Sequence, residues 1–298
     1  MVRGGVTVSV FAPAKVNLYL HVLGRRPDGY HRLDSLVAFA DIGDRLTARP
    51  AEALSLTVGG PEAGAVAGLG EDNLVIRAAR LLMARAGIAA GAALHLEKHL
   101  PAAAGIGGGS SDAAATLRGL ATLWQVRLGE PELMELAVQL GADVPACLAG
   151  RPVWVGGVGE EIMPAEALPE AGIVLANPRC PLPTAAVFQR CRGPYRTAGR
   201  FDPVPSDAAG LAALLASRHN DLTEAARGLV PEIGMVLDRL AALPAALLAR
   251  MSGSGATCFA LFADRAAALA AGKILAQAES FWWSAAGGLT PGLAASGG

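Results

Sequence analysis

Apolar and polar residues alternate along several stretches of this chain, and the period of the alternation changes from place to place. Val6, Val8 and Val10 alternate with Thr7 and Ser9, the two-residue period of a half-buried strand. A second apolar-alternating run, 16–22, follows a predicted break at Pro13, and Gly24, Pro27, Asp28 and Gly29 mark a turn after it. Residues 54–58 and 93–100 read as strands. A helix is predicted over 74–86, with Asn73 or Asp72 as its cap. A glycine loop at 101–109 leads into a helix from about Ser111 to Trp124. Another helix follows over 131–140, closed by Gly141 in the left-handed conformation. Further on, 173–176 and 258–262 read as strands and 208–217, 220–226 and 231–242 as helices. Strands and helices mix without regular alternation, which favours α+β over a doubly wound sheet.

Composition narrows this picture. Of 298 residues 52% are hydrophobic and 17% charged, so the chain can bury a large core. A glycine- and valine-rich segment at 151–159, followed by Pro164 and Pro169, suggests a division into domains 1–160 and 161–298. The formal charge of −1 gives no general attraction to nucleic acid or to an anionic membrane. Cys147, Cys180, Cys191 and Cys258 lack metal or disulfide spacing and read as reduced thiols. The first ten residues lack the apolar core of a signal peptide, and the glycine-rich tail from Ser280 is a poor membrane span with no assigned role. A cytoplasmic enzyme is the default expectation.

The strongest chemical signal is the run Pro101, Ala102, Ala103, Ala104, Gly105, Ile106, Gly107, Gly108, Gly109, Ser110, Ser111, leading from a strand into an alanine-rich helix. Glycines let a backbone close around a bulky anion, and a helix start adds N–H groups and the positive end of a dipole. Ser110 and Ser111 offer hydroxyls to phosphate or metal. The loop is not a P-loop, because no lysine follows the glycines, and it lacks the G-x-G-x-x-G spacing of a dinucleotide site.

Two further runs complete the pattern: Ala12-Pro13-Ala14-Lys15-Val16-Asn17-Leu18 and Met251-Ser252-Gly253-Ser254-Gly255-Ala256-Thr257. In this order and spacing the three segments resemble the GHMP kinase superfamily. The segment Gly24-Arg25-Arg26-Pro27-Asp28-Gly29-Tyr30-His31, together with Ser35-Leu36, Asp41-Ile42-Gly43-Asp44, Gly141-Ala142-Asp143-Val144-Pro145, Pro183-Thr184 and Asn220-Asp221-Leu222, is similar to one branch of it. That branch phosphorylates the 2-hydroxyl of a methylerythritol carrying a cytidine diphosphate group, on the non-mevalonate route to isoprenoid precursors. The resemblance implies a two-domain α+β fold. Its N-terminal half would be like domain 2 of ribosomal protein S5, its C-terminal half ferredoxin-like, with the active site in the cleft between them. It also implies ATP as phosphoryl donor, Mg²⁺ bridging the ATP phosphates, and a small-molecule partner rather than nucleic acid or membrane.

Residue roles follow from the same resemblance. Asp143 would be the catalytic base, although its place after Gly141 and before Pro145 equally suits a helix cap. Lys15 would pair with Asp143 and keep it ionised. Asn17, on the same strand face, can bond the substrate or its phosphate. Tyr30 and His31 would stack on and hydrogen-bond the cytosine ring, or else form an aromatic lid on the core. Thr184 and Phe188 match the far wall of that pocket. Residues 251–257 read as a glycine turn closing over the phosphate loop. His95, Glu97 and His99 read as the polar face of a strand and not as a metal site. Two other readings remain: a kinase for homoserine or a mevalonate derivative, and a non-catalytic nucleotide sensor or RNA-binding module. The missing basic stripe weighs against RNA.

Overall fold

The structure, a computed structural model, describes residues 6–290 and residue 292. Met1–Gly5 and most residues beyond Thr290, on which the expectations about the two ends partly fall, lie outside the described residues. Contacts gather the chain into two compact units. One holds the chain up to Ala14, Gly43–Ala102 and Gly107–Leu148; the other holds Lys15–Ile42, Ala103–Ile106 and the chain from Ala149 onward.

In the first unit, β2 (His31–Ala51) contributes its last part, which pairs antiparallel with β4 (Gly91–Glu97) from Arg45 opposite Glu97 to Ala51 opposite Gly91. Strand β3 (Ser55–Gly59) lies parallel on the other side of β4. Three helices pack on one another: α1 (Leu74–Ala86), α2 (Gly108–Leu123) and α3 (Glu130–Leu140). Helix α1 is set by its sequence. Asn73 caps the Val75 N–H at 2.9 Å, Val75, Ile76, Ala79 and Leu82 make one buried stripe, and Gly87 stops the helix at φ 64°. Gly141 closes α3 with φ 157° and ψ 159°, a nearly extended cap and not the left-handed helical one. The short α4 (Val144–Ala149) follows.

The second unit is an antiparallel sheet. Its strands run in the order β8 (Leu248–Met251), β9 (Cys258–Phe262), β7 (Gly172–Asn177), β10 (Trp283–Thr290) and the first part of β2. Strands β5 (Val153–Gly156) and β6 (Glu161–Pro164) continue from β2 at Ser35–Val37. Helix α8 (Glu232–Ala241) packs on β8 and β9, and α9 (Arg265–Ala278) on β7 and β10. The smaller α5 (Thr184–Arg190), α6 (Ala208–Ala216) and α7 (Thr223–Arg227) complete the unit. A core of Val174, Ala176, Val187, Leu222, Ile233, Val236, Phe262 and Leu275, with others, holds it together.

The α+β class is borne out, but several elements differ from expectation. Pro13 breaks nothing: β1 is one strand, Val8–Arg25. Gly43 lies so close beneath it that an added Cβ would sit 2.3 Å from the Ala12 carbonyl oxygen. Strand β2 left no alternating signal, because 34–40 are buried on both faces. The tail after Ala278, whose glycines suggest a loose segment, is ordered over Trp283–Thr290, which form a central strand. Its glycines and alanines carry little strand propensity, yet they suit tight packing, and a Cβ on Gly272 of α9 would meet Ala286 at 2.6 Å.

Candidate active site

The glycine loop is tied down at its base by buried charge. Lys98 emerges from β4 fully buried, out of phase with exposed His95, Glu97 and His99, which form the expected polar strand face. Its ammonium donates to Asp112 Oδ2 at 2.8 Å, on the first turns of α2, and to Asp44 Oδ2. The other oxygen of Asp44 accepts the N–H groups of His99 (2.5 Å) and Leu100 (2.8 Å), so one carboxylate fixes both the strand end and the lysine. Burial pushes the Asp112 carboxyl up to about 7; Lys98 opposes that rise and the neighbouring Asp44 adds to it. Burial alone would lower the Lys98 ammonium, but the two carboxylates carry it above its ordinary value.

Helix α2 starts three residues earlier than the sequence predicts, so Gly108, Gly109 and Ser110 form its first turn. Gly107 is the N-cap at φ 61° and supplies no side chain, which leaves first-turn N–H groups free of a side-chain cap. A Cβ on Gly108 would lie 3.2 Å from Lys98 Nζ, so the clamp packs directly under that turn. Ser111 is buried and gives its hydroxyl to the Pro13 carbonyl at 2.6 Å, while Ser110 is half-buried. Ahead of the helix, Ala103 and Gly105 also take positive φ, 50° and 75°.

The middle of the loop, Ala103–Ile106, is held by other groups. Lys15, 4% exposed, donates its backbone N–H to Ile106 O at 2.9 Å, and Thr257 N–H bonds Ala104 O at 3.1 Å. Ser252 Oγ donates to Gly105 O at 3.0 Å and accepts from Asn17 N at 3.1 Å. The turn at 251–257 therefore does lie against the loop. Gly105 admits no side chain: a Cβ would fall 2.6 Å from Ser252 O and 2.7 Å from Gly255 O. Asn220 Nδ2 bonds both Met251 O and Gly253 O at 2.8 Å and fixes that turn.

Tyr30, His31, Thr184 and Phe188 come together around a cavity of about 630 Å³ that Arg25 and Gln189 also line. Tyr30 is 64% exposed, which removes the reading of it as a lid on the core. His31 is 7% exposed and lies against Phe188 with ring centroids 5.5 Å apart and planes at 31°. Its Nε2 is buried without a hydrogen-bond partner. Burial, and secondarily the charge of Arg25, holds its pKa below the ordinary histidine value. Thr184 Oγ1 and Ser254 Oγ are 2.8 Å apart, which ties the start of α5 to the 251–257 turn.

Asp143 is exposed and directly precedes α4, where its carbonyl accepts the Cys147 N–H at 3.2 Å. It belongs to the unit that carries Pro101, Ala102 and Gly107–Ser111. Lys15, Asn17, Tyr30, His31, Ala103–Ile106, Thr184 and Phe188 belong to the other. Among the described residues no group of three His, Cys, Asp or Glu could hold a metal ion by itself, and no helix is long and apolar enough to cross a membrane.

Two family models match the chain, the GHMP kinases N terminal domain over residues 73–151 and the GHMP kinases C terminal domain over 206–279. A 4-diphosphocytidyl-2-C-methyl-D-erythritol kinase of Paramagnetospirillum magneticum is 53% identical over 277 residues, 93% of this chain and 96% of that one. The Rhodospirillum rubrum enzyme of the same name is 52% identical, over 92% and 90%. The chain belongs to the 4-diphosphocytidyl-2-C-methyl-D-erythritol kinase family of GHMP kinases. A crystal structure of a 4-(cytidine 5'-diphospho)-2C-methyl-D-erythritol kinase superposes with TM-score 0.76 at 37% identity, covering 95% of this chain and all of that one. A homoserine kinase from Cytophaga hutchinsonii, TM-score 0.73 at 19% identity, shares the fold.

The chain is a GHMP kinase, an ATP-dependent small-molecule kinase; sequence reasoning named the glycine loop and the residues around the cavity but passed over the contacts that support them. Lys98 could have been found as the one charge out of step with the exposed positions of β4. Asp112, Ser35 and Ser252 stand within or beside the runs that carry the resemblance, but their pairings with Lys98, with Tyr19 and Asn17, and with Gly105 join separate parts of the sequence and leave no local signal.

Proposed function

We propose that this GHMP kinase transfers the γ-phosphoryl group of ATP to the 2-hydroxyl of 4-diphosphocytidyl-2-C-methyl-D-erythritol. The observation that carries the choice of substrate is the cavity behind Tyr30, where the buried, unpartnered His31 Nε2 stands beside Phe188. An aromatic face and a polar atom without a partner suit a flat heterocycle that needs its edge read, as cytosine does. Tyr30 supplies the stacking face, His31 the bond to the ring edge, and Thr184 and Phe188 the opposite wall.

At the reacting end, Asp143 takes the proton of the attacking hydroxyl and Lys15 steadies the charge in transfer. Pro101–Ser111 receive the ATP phosphates, with the uncapped start of α2 facing negative charge. Mg²⁺ would arrive on those phosphates and neutralise them, as Mg²⁺ usually does with only one or two protein ligands; Ser110 is the hydroxyl left to help hold it. Residues 1–160 form the ATP-binding domain and 161–298 the C-terminal domain in this reading. The enzyme works in the cytoplasm on a small molecule, and a formal charge of −1 argues against nucleic acid as a partner. ATP consumption measured with the cytidine-linked alcohol, homoserine and mevalonate tests the proposal. Turnover confined to the first supports it; faster turnover of either other alcohol overturns it.

A further inference from the structure

Asn17 is 4% exposed, and its side-chain oxygen is buried with no hydrogen-bond partner. A buried acceptor left bare costs about 1–3 kcal/mol, so its orientation needs a cause. The cause lies in Ser35, itself fully buried on β2. The Ser35 hydroxyl donates its single proton to Tyr19 O at 2.5 Å. Toward Asn17 it can then only accept, and Asn17 Nδ2 donates to it at 2.8 Å. The other end of the residue is pinned as well, because Asn17 N–H is taken by Ser252 Oγ, whose own proton goes to Gly105 O. A flipped amide would put two lone pairs, Asn17 Oδ1 and Ser35 Oγ, against each other. The network thus turns Oδ1 away from Ser35 and toward the turn at Gly253, where an added Cβ would stand 3.3 Å from it.

We propose that Ser35 is a positioning residue that holds Asn17 with its oxygen forward, so that Asn17 Oδ1 receives a hydrogen-bond donor, a hydroxyl of the alcohol substrate, which a phosphate oxygen is not. A phosphate carries acceptors only and would oppose Oδ1 acceptor to acceptor, reaching this side chain solely through the second Nδ2 proton; an alcohol brings the proton that Oδ1 lacks. This rests on the kinase reading above and decides which of the two substrates Asn17 serves.

The test pairs steady-state kinetics with NMR of the Asn17 side-chain amide. Ser35→Ala is expected to lower kcat/KM for the cytidine-linked alcohol about tenfold, the size of one ordinary hydrogen bond. KM for ATP should stay within about twofold, and Ser35→Thr should recover most of the loss. The Asn17 Nδ2 resonances should move in Ser35→Ala and stay in place when a non-hydrolysable ATP analogue binds. Ser35→Cys, nearly isosteric and a poorer acceptor, serves in the same assays should Ser35→Ala fail to fold. Unchanged alcohol kinetics in the folded variants, a rise in KM for ATP alone, or movement of the Nδ2 resonances with the ATP analogue would each overturn the proposal. If the wild type fails to phosphorylate the cytidine-linked alcohol, the substrate reading falls, and the NMR arm still decides the role of Ser35.

Discussion

At the base of the glycine loop, Lys98 is bonded to both Asp44 and Asp112, and Asp44 takes two backbone N–H groups besides. In the pocket behind Tyr30, His31 Nε2 is buried with nothing to bond, and Tyr30 stands in solvent. The first region spends its polar chemistry within the chain; the second leaves a polar atom unpartnered. Buried charges that satisfy one another set a shape and answer poorly to ligands. Buried polar atoms without partners do little for the fold and a great deal for selectivity, since a wrong ligand leaves them bare. Substitutions at the two places should therefore fail differently, one in stability and the other in substrate choice.

The largest effect is expected at Lys98. Lys98→Met removes the cation between two buried carboxylates and should cost about 3–5 kcal/mol of unfolding free energy, read from denaturant melts. A loss under about 1 kcal/mol would show that the clamp is not what fixes the loop. Next comes Gly105→Val, at φ 75° between two carbonyl oxygens. Backbone strain of roughly 1–3 kcal/mol should distort the loop and raise KM for ATP about tenfold or more.

On the other side of the comparison, Tyr30→Ala should weaken binding of the cytidine substrate by roughly 1–3 kcal/mol, the worth of one stacked base. Its melting temperature should match that of the wild type, because the ring is exposed. His31→Ala should narrow the gap in kcat/KM between the cytidine substrate and a uridine analogue. A drop in melting temperature without a change in that ratio would return His31 to the core.

The remaining expected effect is one of pH. The Asp112 carboxyl, raised by burial to about 7 in the folded chain, titrates near 4 when unfolded. Between those values the folded state holds a proton that the unfolded state has released. The stability this contributes is full below about pH 4 and is lost as pH rises through about 7. Asp112→Asn should flatten the fall in melting temperature across that window; a slope identical to that of the wild type would mean that Asp112 does not titrate there.

How much of this was legible in the sequence depended on how each element is buried. Helix α1 appeared at its true bounds because Asn73, a one-sided stripe and Gly87 all point the same way. Strand β9 also matched. Strand β2 and helix α9 stayed hidden for opposite reasons. Residues 34–40 are buried on both faces and show no period, while the buried positions of α9 are mostly alanine and give little contrast with its exposed ones. At the site, the glycine loop and the Tyr30–His31 block were visible because their chemistry sits in short contiguous runs. The Asp44–Lys98–Asp112 clamp and the Ser35–Asn17 pair were not, since only the folded chain brings residues 54 and 18 positions apart into contact.

Strand β10 has a consequence for how the chain is made. It lies between β7 and β2, pairing with Gly172–Asn177 on one side and with Phe39 and Ala40 on the other. During synthesis β2 and β7 leave the ribosome long before Trp283–Thr290 does. Until then each presents an open strand edge, the kind of surface that recruits other chains. A nascent chain stalled or cut short before Trp283 would keep those edges open. Of the described strands, the last to be synthesised is thus the one that seals the second unit against aggregation.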